Sequence, residues 1–238
     1  MSKFVSFITA GDPSLEKTKE FIDILAEYSE IIEVGLPFSD PMAEGEVIQR
    51  ANERALAAGT TTEKMFEMLD EVTFEKMVIL TYANPVYVYG YKDFFSRCKK
   101  SGVYGVIIPD IPYEERGELL EQAQKHGVHL ITLIAPTSAG RVQMLAREAT
   151  GFIYLVSSMG VTGARSEFGS HLRDTVAQIR EVTDVPVYIG FGISTPEQAS
   201  QMRKIADGVI VGSAFVKIIE KHGEQSGRYI SEFIREMV

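Results

Sequence analysis

Ile31 to Glu46 reads IIEVGLPFSDPMAEGE, a β-branched apolar run that opens into a loop built on Pro37, Pro41 and Gly45. One carboxylate, Glu33, lies inside the apolar run, and a second, Glu44, closes the loop. A short apolar run bounded by turn residues reads as a buried strand. A charge inside such a strand is costly unless the site uses it. The stretch therefore reads as a strand followed by a functional loop, with the two carboxylates as the first candidates for chemistry.

Working outward, the same kind of unit recurs along the chain. Candidate strands are Phe4–Ile8, Ile31–Gly35, Met77–Tyr82, Gly105–Pro109, Val128–Leu133, Phe152–Val156, Val187–Gly190 and Gly208–Val211. Between them lie runs with apolar residues at helical spacing, such as Phe21, Ile22, Ile24 and Leu25, then Leu119, Leu120 and Ala123, and later Ala199 and Met202. Alternating strands and helices imply parallel strands joined by crossovers, and eight strands favour one closed (β/α)8 TIM barrel over residues 1–238. The alternative is a doubly wound open sheet, but no Gly-x-Gly-x-x-Gly follows the first strand, where a dinucleotide fold would place it.

Composition limits the function classes. With 238 residues, 45% of them hydrophobic and 24% charged, the chain can bury a large core. A net charge of −9 argues against a nucleic-acid or anionic-membrane surface, which needs clustered Lys and Arg. The N-terminus lacks the pattern of a signal peptide, and no apolar run reaches the roughly 18 residues of a membrane span, so a cytoplasmic protein is expected. Cys98 has no partner for a disulfide and reads as a partly buried filler. His126, His129, His171 and His222 are scattered without metal-ligand spacing, and no metal is expected.

In a barrel of this kind the C-terminal ends of the strands and the loops after them form the active face. Glu33 falls near the end of the second strand. The segments Leu36 to about Ala57 and Ser157 to Ser170 read as long loops, the class of connection that supplies lids and binding elements. Gly190–Ser194 follows the seventh strand, and Gly212 and Ser213 follow the eighth at the start of a short helix. Glycines let the backbone approach a ligand, and a helix N-terminus favours phosphate, so a phosphate-bearing substrate is expected there.

Several strings then become specific: FITAGDP (Phe7–Pro13), IEVGLPFSDPMAEG (Ile32–Gly45), TYANPV (Thr81–Val86), IIPDIP (Ile107–Pro112), YLVSSMGVTG (Tyr154–Gly163), GFGIS (Gly190–Ser194) and VGSAFVKII (Val211–Ile219). In this order and over essentially the whole chain, they resemble the tryptophan synthase alpha subunit family. The resemblance implies retro-aldol cleavage of indole-3-glycerol phosphate to indole and glyceraldehyde 3-phosphate. It further implies transfer of indole to a beta subunit in an alpha2-beta2 heterotetramer, with pyridoxal phosphate only in that partner and no cofactor in this chain. By matching residue to residue, Glu33, Glu44 and Tyr154 take catalytic places. Phe7, Leu80, Leu133, Phe191 and Val211 line the indole pocket, and Thr162 is a lid threonine that contacts the second-loop carboxylate. Gly163, Gly192, Gly212 and Ser213 bind phosphate, while Pro37, Asp40 and Pro41 belong to the loop that meets the beta subunit.

The chemistry fits those places. Indole leaves readily only when its C3 is protonated, which calls for a general acid, and an apolar strand raises the pKa of Glu33 toward that role. A second carboxylate accepting the indole N–H would stabilise the charge that develops on the ring. Here the chain departs from the family, whose loop reads Leu-Ala-Asp-Gly-Pro where this one has Met42-Ala43-Glu44-Gly45-Glu46. The carboxylate is one methylene longer, and loss of the loop proline frees the backbone. Partner-dependent turnover is expected. The first strand also begins almost at Met1, without the family's preceding helix, so a thinly covered barrel floor is expected. A stand-alone indole-releasing lyase and a barrel that only docks on and regulates a beta subunit are the competing readings. Other phosphate-binding barrels are not expected to carry the PFSDP and GVTG strings together.

Overall fold

The structure, a computed structural model, describes residues 3–157, 165–190 and 192–238. From the N-terminus run β1 (Lys3–Thr9), α1 (Leu15–Ala26), β2 (Ile31–Gly35), α2 (Glu46–Ala57), α3 (Thr62–Asp70), β3 (Met77–Leu80), α4 (Ala83–Tyr89), α5 (Tyr91–Lys100) and β4 (Gly105–Ile107). There follow α6 (Gly117–His126), β5 (His129–Leu130), β6 (Thr132–Ile134), α7 (Val142–Arg147), β7 (Ile153–Val156), α8 (Arg165–Arg180), β8 (Val187–Gly190), α9 (Pro196–Arg203), β9 (Gly208–Val211), α10 (Ser213–His222) and α11 (Gly227–Met237).

All pairings are parallel, in the order β5-β4-β3-β2-β1-β9-β8-β7-β6. The first and last segments of that order belong to one run of chain, so the sheet closes on itself as the barrel that the alternation implies. The expected fifth strand, Val128–Leu133, is divided at Ile131: its first part pairs with β4 and its second with β7. Ile131 still donates its N–H to Val106 O at 2.9 Å. Pro109, which has no N–H for a ladder, explains why β4 stops at Ile107, short of the expected end at that proline. Strand three likewise ends at Leu80, and Tyr82 becomes the N-cap of α4.

The side-chain period of two sorts the strands into two faces. Val5, Ile31, Val78, Ile107, Ile131, Phe152, Tyr188 and Ile210 fill the barrel interior. Their sequence neighbours, among them Phe4, Ile32, Ile79, Val106, Ile153, Ile189 and Val209, pack outward under the helices. Cys98 is fully buried in that outer layer, deeper than its sequence neighbours suggest. The floor is closed: Phe152 and Tyr188 are buried with rings 5.3 Å apart, Tyr188 Oη donates to Glu30 at 2.9 Å, and Lys76 pairs with Glu30 at 2.8 Å.

The segment Leu36 to Ala57 is loop only as far as Gly45, since α2 occupies Glu46–Ala57. Three of its residues, Ala51, Asn52 and Ala55, are buried. The apolar stripe of this helix is thin, Val47 and Ile48 followed by Ala51 and Ala55, which leaves a weak helical signal in the sequence. Ser14 caps α1 by accepting from Lys17 N, and Thr195 with Gln198 forms a capping box on α9. Among the described residues no helix is long and apolar enough to cross a membrane.

Candidate active site

At the C-terminal ends of the strands a cavity of about 410 Å3 opens, and both candidate carboxylates reach it. Glu33 stands in the middle of β2, in register with Phe7 on β1 and Val78 on β3. It is 1% exposed, and its Oε1 has no hydrogen-bond partner. Burial alone pushes its carboxyl up to about 8. Holding a proton at pH 7 costs a free glutamate about 3.5 kcal/mol, less than burying the unpaired ion would cost, so the neutral acid is the resting form.

Glu44 is half-buried at the end of the loop, where Tyr82 Oη donates to its Oε2. Tyr82 itself is buried, accepts Ala43 N–H at 2.8 Å and stacks on Phe38 with ring centroids 5.3 Å apart. Gln49 on α2 donates Nε2 to Glu44 O at 2.9 Å, so the carboxylate is held at both its side chain and its backbone. Burial raises the pKa of Glu44, and the nearby Asp110 charge pushes the same way; the Tyr82 hydrogen bond opposes both. The Tyr82 hydroxyl is raised by burial first and by its bond to Glu44 second. Asp110 accepts Ala83 N–H at 2.9 Å and so anchors the start of α4 beside this group.

Tyr154, on β7, lines the same cavity. Burial raises its hydroxyl well above the ordinary value, and the neighbouring Glu33 and Glu44 carboxyls, when ionised, push the same way. Gly190 on β8 makes room for it, since a Cβ there would lie 2.7 Å from the Tyr154 ring. Phe7 is seated the same way between Gly35 and Gly212, where added Cβ atoms would come within 2.9 and 3.0 Å of its ring. Phe7, Leu80 and Leu133 line the cavity.

Val211 does not. It is fully buried in the layer between strands and helices, and its neighbour Ile210 faces the cavity instead. Successive residues of a strand point to opposite faces, so Ile210 and not Val211 holds the cavity position on β9.

Gly192, Gly212 and Ser213 line the same cavity. Gly192 has φ +77°, a conformation that side-chain-bearing residues rarely adopt, and Gly212 caps α10. The N-terminus of that ten-residue helix is a place for an anion without any lysine. Thr162, Gly163 and Phe191 lie outside the described residues.

Pro109, Val156, Ile48, Ile193 and Gln198 also line the cavity, and the sequence reading did not single them out. Pro109 and Val156 are two residues beyond Ile107 and Tyr154, so the strand period could have found them. Ile48 could not be found that way, because α2 was unrecognised. Among the described residues no group of three His, Cys, Asp or Glu side chains could hold a metal. The cavity combines a neutral buried acid, a second anchored carboxylate, apolar walls and a helix N-terminus, a set that suits acid–base chemistry on a partly apolar ligand that carries an anionic group.

A family model described as "Tryptophan synthase alpha chain" matches residues 1–237. The chain is 47% identical to a tryptophan synthase alpha chain of Lacticaseibacillus casei over 238 residues, covering 98% of this chain and 90% of that protein. It is 47% identical to one from Geobacter sulfurreducens over 236 residues, covering 97% and 89%. Among solved structures, tryptophan synthase subunit alpha from Campylobacter jejuni superposes with a TM-score of 0.92 at 34% identity, covering 100% of this chain and 96% of that one. A tryptophan synthase complex from Pyrococcus furiosus gives 0.90 at 33% identity, covering 99% and 97%.

Proposed function

The chain belongs to the tryptophan synthase alpha chain family, and from that membership and the cavity we propose that it is a carbon–carbon lyase cleaving indole-3-glycerol phosphate. The products are indole and glyceraldehyde 3-phosphate. Glu33, resting as the neutral acid, delivers its proton to C3 of the indole ring. The resulting carboxylate takes the proton of the hydroxyl on the adjoining glycerol carbon. That oxygen becomes the aldehyde carbonyl, the bond from the glycerol carbon to C3 breaks, and its electron pair restores the indole ring. Glu33 ends protonated, ready for another turnover.

Glu44 accepts the indole N–H, so its charge faces the ring nitrogen as positive charge builds there. Phe7, Leu80, Leu133 and Ile210 enclose the ring, with Phe191 and Thr162 assigned to the same pocket by family resemblance. Tyr154 takes the place of the family's tyrosine near the glycerol chain and Glu33. Gly192, Gly212 and Ser213, with Gly163, receive the phosphate and fix which carbon lies over Glu33.

The observation that carries the reading is an acid of pKa about 8, 1% exposed and with an unpaired oxygen, at the wall of that cavity. We also assign the chain a beta-subunit partner in an alpha2-beta2 assembly, because a Pyrococcus furiosus neighbour with a TM-score of 0.88 is an a2b2 complex. Pyridoxal phosphate belongs to the partner in this scheme, and the chain works in the cytoplasm. The test is glyceraldehyde 3-phosphate release by the purified chain, alone and with a tryptophan synthase beta subunit. Release that the partner strongly stimulates supports the proposal. Brisk release without the partner replaces it with a stand-alone lyase, and no release in either case rejects the lyase.

A further inference from the structure

Three elements carry three corners of the cavity, and one ion network joins them at a distance from it. Asp12 lies in the turn after β1, the strand that bears Phe7, and is 1% exposed. Arg54, in the last turn of α2, grips it with a two-pronged contact, Nε to Oδ1 at 2.9 Å and Nη2 to Oδ2 at 2.8 Å. The same guanidinium reaches Glu220 on α10 through Nη1 at 3.2 Å. Arg50, one turn earlier on α2, also holds Glu220, at 2.6 and 3.1 Å. Thus α2, which leads directly out of the Glu44 loop, is clamped to the turn after β1 and to the helix whose N-terminus lines the phosphate end.

The residues that α2 buries fully are two alanines and an asparagine, and its larger apolar side chains, Val47 and Ile48, are only partly buried, so packing leaves the helix more freedom than a fully buried apolar face would. The small cluster beneath it, Phe7, Ala51 and Val216 with Val47, Ile48 and Leu80 at its edge, is drawn from the same elements and touches the cavity. A helix of this length is stiff over about 18 Å. Its first turn is tied to the carboxylate segment by the Gln49 bond to Glu44 O and by Ile48 N donating to Gly45 O at 3.0 Å. A tilt permitted at Arg54 is therefore delivered at Glu44. A misplacement of about 1 Å at a reacting group can cost a hundredfold in rate.

We propose that Arg54 is a positioning residue for Glu44: by bridging Asp12 and Glu220 it locks α2, and through α2 sets the second carboxylate relative to the phosphate site. The kinetic consequence rests on the lyase reading above; the structural coupling does not.

The test compares Arg54→Met and Arg54→Lys with the wild-type chain in steady-state cleavage and in amide hydrogen exchange. Expected for Arg54→Met is a kcat lowered about tenfold with KM changed less than about twofold, and largely regained in Arg54→Lys. Exchange should quicken about tenfold over residues 43–49 and stay unchanged in β2 and β7. Unchanged kcat, a change confined to KM, or exchange that quickens throughout the barrel overturns the assignment, the last because it signals lost stability alone. If Arg54→Met fails to fold with Asp12 left unpaired, Glu220→Gln, which spares the Asp12–Arg54 contact, should give the same local pattern at about threefold. A wild-type chain that cleaves nothing, yet shows local exchange coupling, would sink the lyase reading and leave the coupling standing.

Discussion

Glu33 shows how one residue ties chemistry to stability. Its pKa lies far above the ordinary carboxylate range because burial penalises the ion and nothing nearby compensates it. The folded state binds this proton more tightly than the unfolded chain does. The stabilisation from that proton is therefore complete below the unfolded pKa near 4.5 and is lost as pH rises toward about 8. Glu33→Gln, neutral at every pH, should nearly abolish cleavage while substrate still binds, and wild-type-like turnover would remove Glu33 from the mechanism. The same variant should gain stability relative to wild type as pH rises from 5 to 9, by a few kcal/mol at the top of that range. Thermal melts across pH check the sign. Because protonation of indole C3 needs the neutral acid, kcat/KM should fall as pH passes about 8. Glu44→Asp should leave kcat equal or higher, and a large loss would mean that the site is fitted to the longer side chain. Tyr82→Phe removes the donor to Glu44 and the acceptor of Ala43 N–H. It should lower kcat about tenfold, the worth of roughly one charge-assisted hydrogen bond.

Among elements, β8 and α2 carry the less obvious constraints. Gly190 occupies a strand, where glycine is usually a weakness, yet a Cβ there would stand 2.7 Å from the Tyr154 ring. Gly190→Ala should displace Tyr154 or the strand, cost about 1–3 kcal/mol in chemical denaturation and lower kcat. A stability loss without a kinetic effect would separate Tyr154 from the chemistry. The divided strand at Ile131 belongs to the same scale. Its two halves pair with different neighbours, the first with β4 and the second with β7, and so close the barrel. Pattern reading located that run but could not show the division, because pairing partners are a property of the neighbours.

For the molecule as a whole, the active face is also where apolar side chains stand in solvent. Met42, Tyr87 and Val88 are 85%, 70% and 76% exposed, on the Glu44 loop and on α4, which Tyr82 links to that loop. Exposed apolar side chains beside an active cavity mark a place for a partner, and the proposed beta subunit would cover them. Val88→Asp should weaken stimulation by the beta subunit about tenfold, since burying an unpaired carboxylate at an interface is costly. The chain's basal cleavage should stay unchanged, and titration of activity with the partner measures both.

The sequence by itself determined the barrel, the strand that holds Glu33, the loop that carries Glu44 and the glycines that follow the last two strands. Those features are written in local terms: a period of two or 3.6, a proline or glycine that stops an element, a lone charge in an apolar run. Only the tertiary structure decided which face of β9 meets the cavity, putting Ile210 there and Val211 outside it. It also decided that Tyr82 holds Glu44, that Gly190 makes room for Tyr154, and that Arg54 finds Asp12 42 positions away and Glu220 166 positions away. The reason is physical: closing a barrel brings together residues from distant units, and their contacts depend on register and on helix tilt, which no local pattern encodes.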